Sequence, residues 1–494
     1  MRWRSPGGAM AAVSVEPRVR RWPLIAVILA SAAVAFAVRV PFFFWPLTVD
    51  EAGYAYGARW WFDGLTLYSD DLWFDRPQGI FLAYQAGMAF LGGSTEAIRI
   101  IGALWSAGTT ALVVAIAARM FNLRVAAIAG PLFAVISVAP LIDGYASNAE
   151  VFMIAGTTAS ALMLWRRSWF AAGLFVGLAV LLKPSGGVGL LLGAAWLSHE
   201  HASRRDWAAF FGGIALPMLL AVAHGLLTVG LDEYLYATLF FRLSTGGEDD
   251  PIFQLIEGWS RVTPVIFPLI LAALIGSRAL RAHPAHYRFL SIWVATSFLG
   301  IAMGGNWWEH YFLQAIPPLI VMVAVVLDAA VSAAHRSSWF SSRSASTGVG
   351  IVAIGVPVLA YLALILPWAV MDPDEGSASL YDMNGYQGNE EIAQYLADRT
   401  EPTDEVFIGI SHASLLYLTG RQSSSPYLYK QQTSEIPGAI DDIADDLEAG
   451  VPAYVLILPR QLDLYDPKGR IWASLTESYE YERSFRTAEV WRRR

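Results

Sequence analysis

Two adjacent carboxylates, Asp50 and Glu51, follow an apolar run, Leu24–Phe44, whose one charge is Arg39. That run is long enough to cross a hydrocarbon core of roughly 30 Å. Arg2, Arg4, Arg18, Arg20 and Arg21 precede it and are expected to hold the N-terminus on the cytoplasmic side. The carboxylates are therefore expected on the outer face, at the water–lipid boundary. An acid at that depth can act on a substrate with a lipid anchor and a polar head. Thr48-Val-Asp-Glu51 also fits a capping box, in which Thr48 and Glu51 satisfy backbone donors opening a helix. That role accounts for Glu51 better than for Asp50. At the second helical position Asp50 gains from the helix dipole, stays ionised and is available as a base. Helical spacing puts Tyr54, Gly57 and Trp61 on its face.

A second outer segment, Asp143–Glu150, holds Asn148 and ends in another capping-box pattern, Ser147-x-x-Glu150. Asp50, Glu51 and Glu150 form the candidate catalytic set. Acids on separate loops can converge on a polar acceptor or on a hard divalent cation. Such a cation is admitted as a cofactor without being required, and its ligands stay unassigned. Arg76, Arg99, Lys183 and Arg242 fall on the outer side, against the positive-inside bias. Singly, each is explained by snorkelling to lipid headgroups. Together they suit an anion, and guanidinium and ammonium groups hold phosphate well. Lys183 precedes Pro-Ser-Gly-Gly and is the only lysine before Lys430. Tyr54, Asp75, Asn148, His310 and Tyr311 complete the expected substrate contacts.

The elements that must position these residues follow from composition. Of 494 residues, 55% are hydrophobic, 15% charged and 19 are Trp, whereas soluble domains average about 25% charged. Most of the chain is thus expected to be a polytopic α-helical membrane protein embedded in a lipid bilayer. A net charge of −8 gives no reason to expect nucleic acid, and the lack of cysteine excludes disulfides and thiolate metal sites. Further apolar runs are Ala97–Ala118, Val125–Ile142, Val151–Trp165, Trp169–Leu182, Gly186–Leu197, Trp207–Val229, Val262–Gly276, Phe289–Met303, Tyr311–Val331 and Val349–Val370. Pro77–Leu91 is shorter. If it does not cross, the loops Arg119–Arg124, Arg166–Ser168, Ser198–Asp206, Ser277–Arg288 and His335–Arg343 all fall inside, each with at least two arginines. It is therefore expected to lie along the outer interface. That gives about eleven transmembrane helices and an outer C-terminus.

The expected domains are a basic cytoplasmic N-terminus (1–21), a transmembrane domain (22–370) with the outer loop 47–96, and an extracytoplasmic domain (371–494). In the last, Gly388–Arg399 and Ile436–Glu448 read as helices, and Glu405–Ile410 and Ala453–Leu458 as buried strands. This argues for a small α/β unit.

Four stretches carry a resemblance. Asp50-Glu51 with the following Ala-Gly-Tyr-Ala-Tyr-Gly-Ala-Arg59, then Asp75-Arg-Pro-Gln78, Gly177-Leu-Ala-Val-Leu-Leu-Lys-Pro184 and His310-Tyr-Phe-Leu-Gln-Ala-Ile-Pro-Pro318 resemble, in order and in side, the GT-C superfamily. The similarity is to the protein O-mannosyltransferases and the aminoarabinose transferases of lipid A. The resemblance covers about residues 20–320; the C-terminal domain matches loosely. It implies a GT-C-like membrane fold and an inverting glycosyltransferase. The donor would be a polyprenyl-phosphate sugar, with Asp50 matching the catalytic base. The acceptor hydroxyl would belong to a glycan, glycolipid or protein at the outer face of a cell (inner) membrane. Glu150 stands where relatives usually carry Asp, and Pro77-Gln78 departs from the Pro-Pro of many members. The rival class is a transporter or flippase of lipid-linked sugars, which would more often show internal repeats and midplane charges; the sequence shows no repeat. A third reading is a non-catalytic scaffold whose outer domain binds cell-wall components.

Overall fold

The computed structural model describes residues 20–244, 250–281, 283–336, 343–381, 388–409, 412–458, 462, 466–485 and 488–494. Arg2, Arg4 and Arg18, the Ile410 end of the first expected strand, residues 245–249, and most of the His335–Arg343 loop lie outside these residues. Helices occupy the apolar runs: α1 Arg21–Ala37, α2 Val49–Phe62, α3 Gln78–Leu91, α4 Thr95–Met120, α5 Leu123–Ile136, α6 Ala149–Trp165, α7 Trp169–Leu182, α8 Val188–His199 and α9 Arg204–Thr228. Further helices span Pro251–Leu280, Pro284–Ala302, Ile316–Arg336 and Arg343–Ala369.

Among the described residues five segments are long and apolar enough to cross a membrane: Arg21–Phe44, Thr95–Met120, Arg204–Thr228, Ile252–Arg278 and Glu309–Ala334. The helices α5, α6 and α7 are apolar but shorter. Gly355–Ala369 and Pro373–Tyr381 form a broken pair bent by 108°, with Pro373 opening the second piece, where its missing N–H costs nothing. Leu219, Leu220 and Leu227 on α9, and Leu274 and Ile275 on Pro251–Leu280, are exposed, an outer surface suited to lipid. Inside the bundle α7 packs on α6 and α9. The approach is close at Gly173, where an added Cβ would sit 1.9 Å from the Phe210 carbonyl oxygen.

The expected interfacial segment is α3. It buries Ile80, Phe81 and Tyr84 and leaves Leu82, Phe90 and Leu91 exposed, packing on α2, α4 and α7.

The C-terminal region contains a five-stranded mixed sheet: β1 Glu405–Ile408, β2 Gln422–Ser423, β3 Tyr454–Ile457, β4 Tyr479–Phe485 and β5 Ala488–Arg493, ordered β2-β1-β3-β5-β4. The first three strands are parallel, and β5 runs antiparallel to both β3 and β4. Phe407, Val455 and Ile457 form a small core with Ile443, Leu447, Ile471 and Leu475. The two expected strands are β1 and β3, and the expected helices are Asn389–Ala397 and Ala439–Glu448. The β4–β5 hairpin went unread because its strands carry three charged residues each and lack a long apolar run.

This region docks on the segment 47–96. The helix Ala413–Thr419 packs on α2. Arg59 lies over the Tyr417 ring at 4.2 Å, the Tyr417 hydroxyl donates to the Gly93 carbonyl at 2.7 Å, and the Ser423 amide donates to the Tyr56 hydroxyl at 2.8 Å.

Candidate active site

The N-terminus of α2 separates the two acids. Thr48 is the N-cap, and its hydroxyl accepts the Glu51 amide while the Glu51 carboxylate accepts the Thr48 amide at 3.0 Å. The capping box is therefore real and draws Glu51 inward. The same carboxylate accepts the Ser147 amide at 2.5 Å and pairs with Arg99 at 3.1 Å. Glu51 is 0% and Arg99 1% exposed, and neither lines the cavity that opens beside them. Arg99 Nη2 also donates to the Pro46 carbonyl at 2.6 Å. The structure thus sets Glu51 apart from the candidate catalytic set and Arg99 apart from the phosphate-binding set, because each neutralises the other in the interior.

Asp50 points the other way. It lines a cavity of about 820 Å³ and is partly exposed, and its carboxylate makes no hydrogen bond or ion pair with another described residue. Tyr54, one turn along α2, lines the same cavity and is itself buried. Burial, then the Asp50 carboxylate, holds the Tyr54 phenol well above its ordinary value.

The cations arrive from three other elements. Arg76 precedes Pro77, the N-cap of α3; the Tyr68 hydroxyl fixes its carbonyl at 2.9 Å. Its guanidinium donates to Asp75 at 2.6 Å. Arg242 follows the short helical stretch Tyr236–Phe240 and donates both to Asp75 and to the Gln431 side chain, the latter at 2.5 Å. Burial raises the Asp75 carboxyl, but Arg242 and Arg76 outweigh it and leave the group below the ordinary carboxylate value. Lys183 ends α7 in an extended conformation, as the residue before a proline prefers. Its ammonium pairs with Glu150 and lies 4.2 Å over the Tyr311 ring. Arg76, Arg242 and Lys183 all line the cavity, so three of the four expected cations meet there.

Glu150 does not complete a capping box. The N-cap of α6 is Asn148, without a side-chain bond; Ser147 instead donates to the Ile98 carbonyl at 2.9 Å. Lys183, at the end of the neighbouring helix, takes the Glu150 carboxylate. Glu150 sits behind the cavity wall, 3.8 Å from His310 Nε2. Asp75, Asn148, His310 and Tyr311 also line the cavity.

Lining residues that escaped the sequence reading include Asp143, Arg261, Trp308, Tyr381, Tyr429, Lys430 and Gln431. The last three come from the C-terminal sheet region, and no local spacing connects them to Asp50. Tyr429 reaches the site because Gly53 leaves room, since an added Cβ there would lie 1.9 Å from the Tyr429 hydroxyl. Burial, then Asp50, keeps that phenol well above its usual value.

The donor set does not fit a metal. Among the described residues no three His, Asp or Glu side chains are grouped to hold one; Asp75, Glu150 and Asp143 are each engaged by a cation, a His or a tyrosine. What the geometry offers is one carboxylate, Asp50, without a partner among the described residues, in a cavity of substrate size also lined by Arg76, Arg242, Lys183, Arg261 and Lys430, an arrangement able to take a proton while stabilising an anion.

Residues 75–227 match the family model of dolichyl-phosphate-mannose-protein mannosyltransferases. Comparison with curated proteins by sequence finds no match. Among solved structures, the chain is similar to ArnT from Cupriavidus metallidurans bound to undecaprenyl phosphate. The TM-score is 0.64 at 16% identity, covering 94% of this chain and 97% of that one. It is also similar to the oligosaccharyltransferase of Archaeoglobus fulgidus in its apo form (TM-score 0.58, 14% identity, 93% and 73% covered). The same holds for AglB from that organism with an inhibitory peptide and a dolichol-phosphate (TM-score 0.56, 15% identity, 93% and 73% covered).

Proposed function

We propose that this chain, an integral membrane protein with the fold of the GT-C superfamily glycosyltransferases, moves a sugar from a polyprenyl phosphate to an acceptor hydroxyl. The observation that carries the reading is the pairing of an unpartnered Asp50 carboxylate with Arg76, Arg242 and Lys183 around one cavity. The undecaprenyl phosphate bound by ArnT and the dolichol-phosphate bound by AglB support a lipid phosphate as the donor's carrier.

In this mechanism the donor's phosphate lies against the three cations and its lipid tail between helices. Asp50 accepts the proton of the acceptor hydroxyl as that oxygen attacks the anomeric carbon. The bond from that carbon to the phosphate oxygen breaks, and its electron pair leaves with the phosphate. Attack opposite the leaving group inverts the anomeric centre, and no covalent enzyme intermediate is needed. A positioned base contributes about 10²–10⁴-fold, and fixed cations at the departing phosphate act where negative charge develops. In this reading the cavity and the C-terminal domain (371–494) lie on the outer face of the membrane, with the N-terminus cytoplasmic, the orientation that the loop arginines favour.

The test is transfer from a panel of radiolabelled polyprenyl-phosphate sugars in membranes containing the protein. Label leaving the lipid for an acceptor supports the reading and identifies the sugar. Label that crosses the membrane still attached to its lipid favours a flippase instead.

A further inference from the structure

One wall of the cavity takes no part in the transfer step above. The turn joining Pro284–Ala302 to His310 carries Trp307 at φ 50°, a left-handed backbone that bulky residues rarely adopt and that is enriched at functional positions. The turn sends two tryptophans to different places. Trp307 is half-buried and packs against the core, beside Gly258 and Phe312. Trp308 lines the cavity and is 46% exposed. A membrane anchor would place its indole among headgroups; this one borders a polar cavity.

The second outer loop supplies acceptors to the same cavity. Asp143 also has a left-handed backbone, at φ 48°. Its carboxylate accepts the Tyr381 hydroxyl at 2.8 Å and lies 3.4 Å from His310 Nδ1. The Tyr381 hydroxyl is itself 2.9 Å from that of Tyr145. A carboxylate has about four lone-pair positions, so two remain for a ligand. Asn148 lines the cavity at 3% exposure, and its Oδ1 has no hydrogen-bond partner among the described residues. Buried acceptors are nearly always paired, so this atom is suited to a donor at the cavity wall.

An open indole face beside fixed acceptors, one of them anionic, disfavours phosphate and suits a ring that has an apolar C–H face and donating hydroxyls. We propose that Trp308, Asp143 and Asn148 form a sugar-ring subsite, with Trp308 stacking on the ring and the two polar side chains accepting its hydroxyls. The assignment rests on the glycosyltransferase reading, in which such a ring comes either from the donor's transferred sugar or from a glycan acceptor. Trp308 and Asp143 then determine which sugar is accepted, apart from the cations that hold phosphate.

Saturation-transfer NMR of the detergent-solubilised full chain with methyl glycosides tests the subsite without turnover. Wild type should transfer saturation to ring protons of at least one glycoside. Trp308→Ala should weaken that binding roughly tenfold, Trp308→Phe should restore most of it, and undecaprenyl phosphate should bind all three proteins equally. Steady-state kinetics then separates the sources. A KM rise for the donor alone marks the transferred sugar; a rise for a saccharide acceptor alone marks the acceptor. Glycoside binding unchanged in Trp308→Ala, or a parallel loss of undecaprenyl phosphate binding, overturns the proposal. If wild type binds glycosides through Trp308 yet transfers no sugar, the subsite stands and the glycosyltransferase reading fails.

Discussion

Replacing Glu51 with Gln separates structure from chemistry at two adjacent acids. Glu51 and Arg99 are 0% and 1% exposed, so neutralising one leaves the other charged in the interior. Arg99 already has Nε and Nη1 without partners among the described residues, which makes the carboxylate its principal counter-charge. Removing one member of a buried pair costs about 3–5 kcal/mol. The Glu51 carboxylate also accepts the amides of Thr48 and Ser147. Gln keeps one carbonyl oxygen, so one of those amides loses its acceptor at a further cost of about 1–3 kcal/mol. Together these approach the whole stability of an ordinary domain, about 5–15 kcal/mol. Thermal unfolding of the detergent-solubilised protein, followed by tryptophan fluorescence and by monodispersity after heating, reads the loss. Glu51→Gln should melt well below wild type, whereas Asp50→Asn should melt with it. Adding Arg99→Met to Glu51→Gln should recover part of the loss, because a neutral pair leaves no buried orphan charge. A Glu51→Gln protein that melts like wild type but transfers no sugar would refute the division of roles.

Lys183→Met and Arg242→Ala should each weaken binding of undecaprenyl phosphate by roughly 10–100-fold, the worth of one charge-assisted contact; unchanged affinity in titrations of purified protein would place the phosphate elsewhere. Gly53→Ala puts a methyl group 1.9 Å from the Tyr429 hydroxyl position, so the C-terminal region should loosen from α2 and become more sensitive to limited proteolysis, with resistance equal to wild type as the contrary result. Asp75 titrates below its ordinary value because Arg242 and Arg76 outweigh its burial. Its stabilising contribution is therefore complete above about pH 4 and fades as the pH falls through the folded pKa. Wild type should lose melting temperature more steeply than Asp75→Asn on acidification below that point, and equal slopes would count against the Asp75 network.

Much of the site was legible because its determinants are local. Apolar runs between arginine-rich loops fall on helices, and the box at Thr48–Glu51 forms because its partners are three residues apart. Lys183 was marked by being a lone cation at the end of an apolar run. What stayed hidden is set by distance along the chain. The Arg99–Glu51 and Lys183–Glu150 pairs join residues that no spacing rule relates, and so Glu51 and Arg99 looked like site residues while lying behind the wall. Ser147-x-x-Glu150 matched a capping pattern, but a buried lysine competed for the carboxylate and won. Tyr429, Lys430 and Gln431 enter from a sheet region hundreds of residues away, and the signal for their approach is the absence of a side chain at Gly53. The two tryptophans at Trp307 and Trp308 were indistinguishable in sequence; only the backbone of the turn assigns one to the core and the other to the cavity.

The central claim is that Asp50 is the general base. Its most direct test is single-turnover transfer from a radiolabelled polyprenyl-phosphate sugar, comparing wild type with Asp50→Asn in protein that melts normally and binds undecaprenyl phosphate. The account predicts a rate lower by about 10²–10⁴-fold with phosphate affinity unchanged. Transfer at the wild-type rate by Asp50→Asn would contradict it.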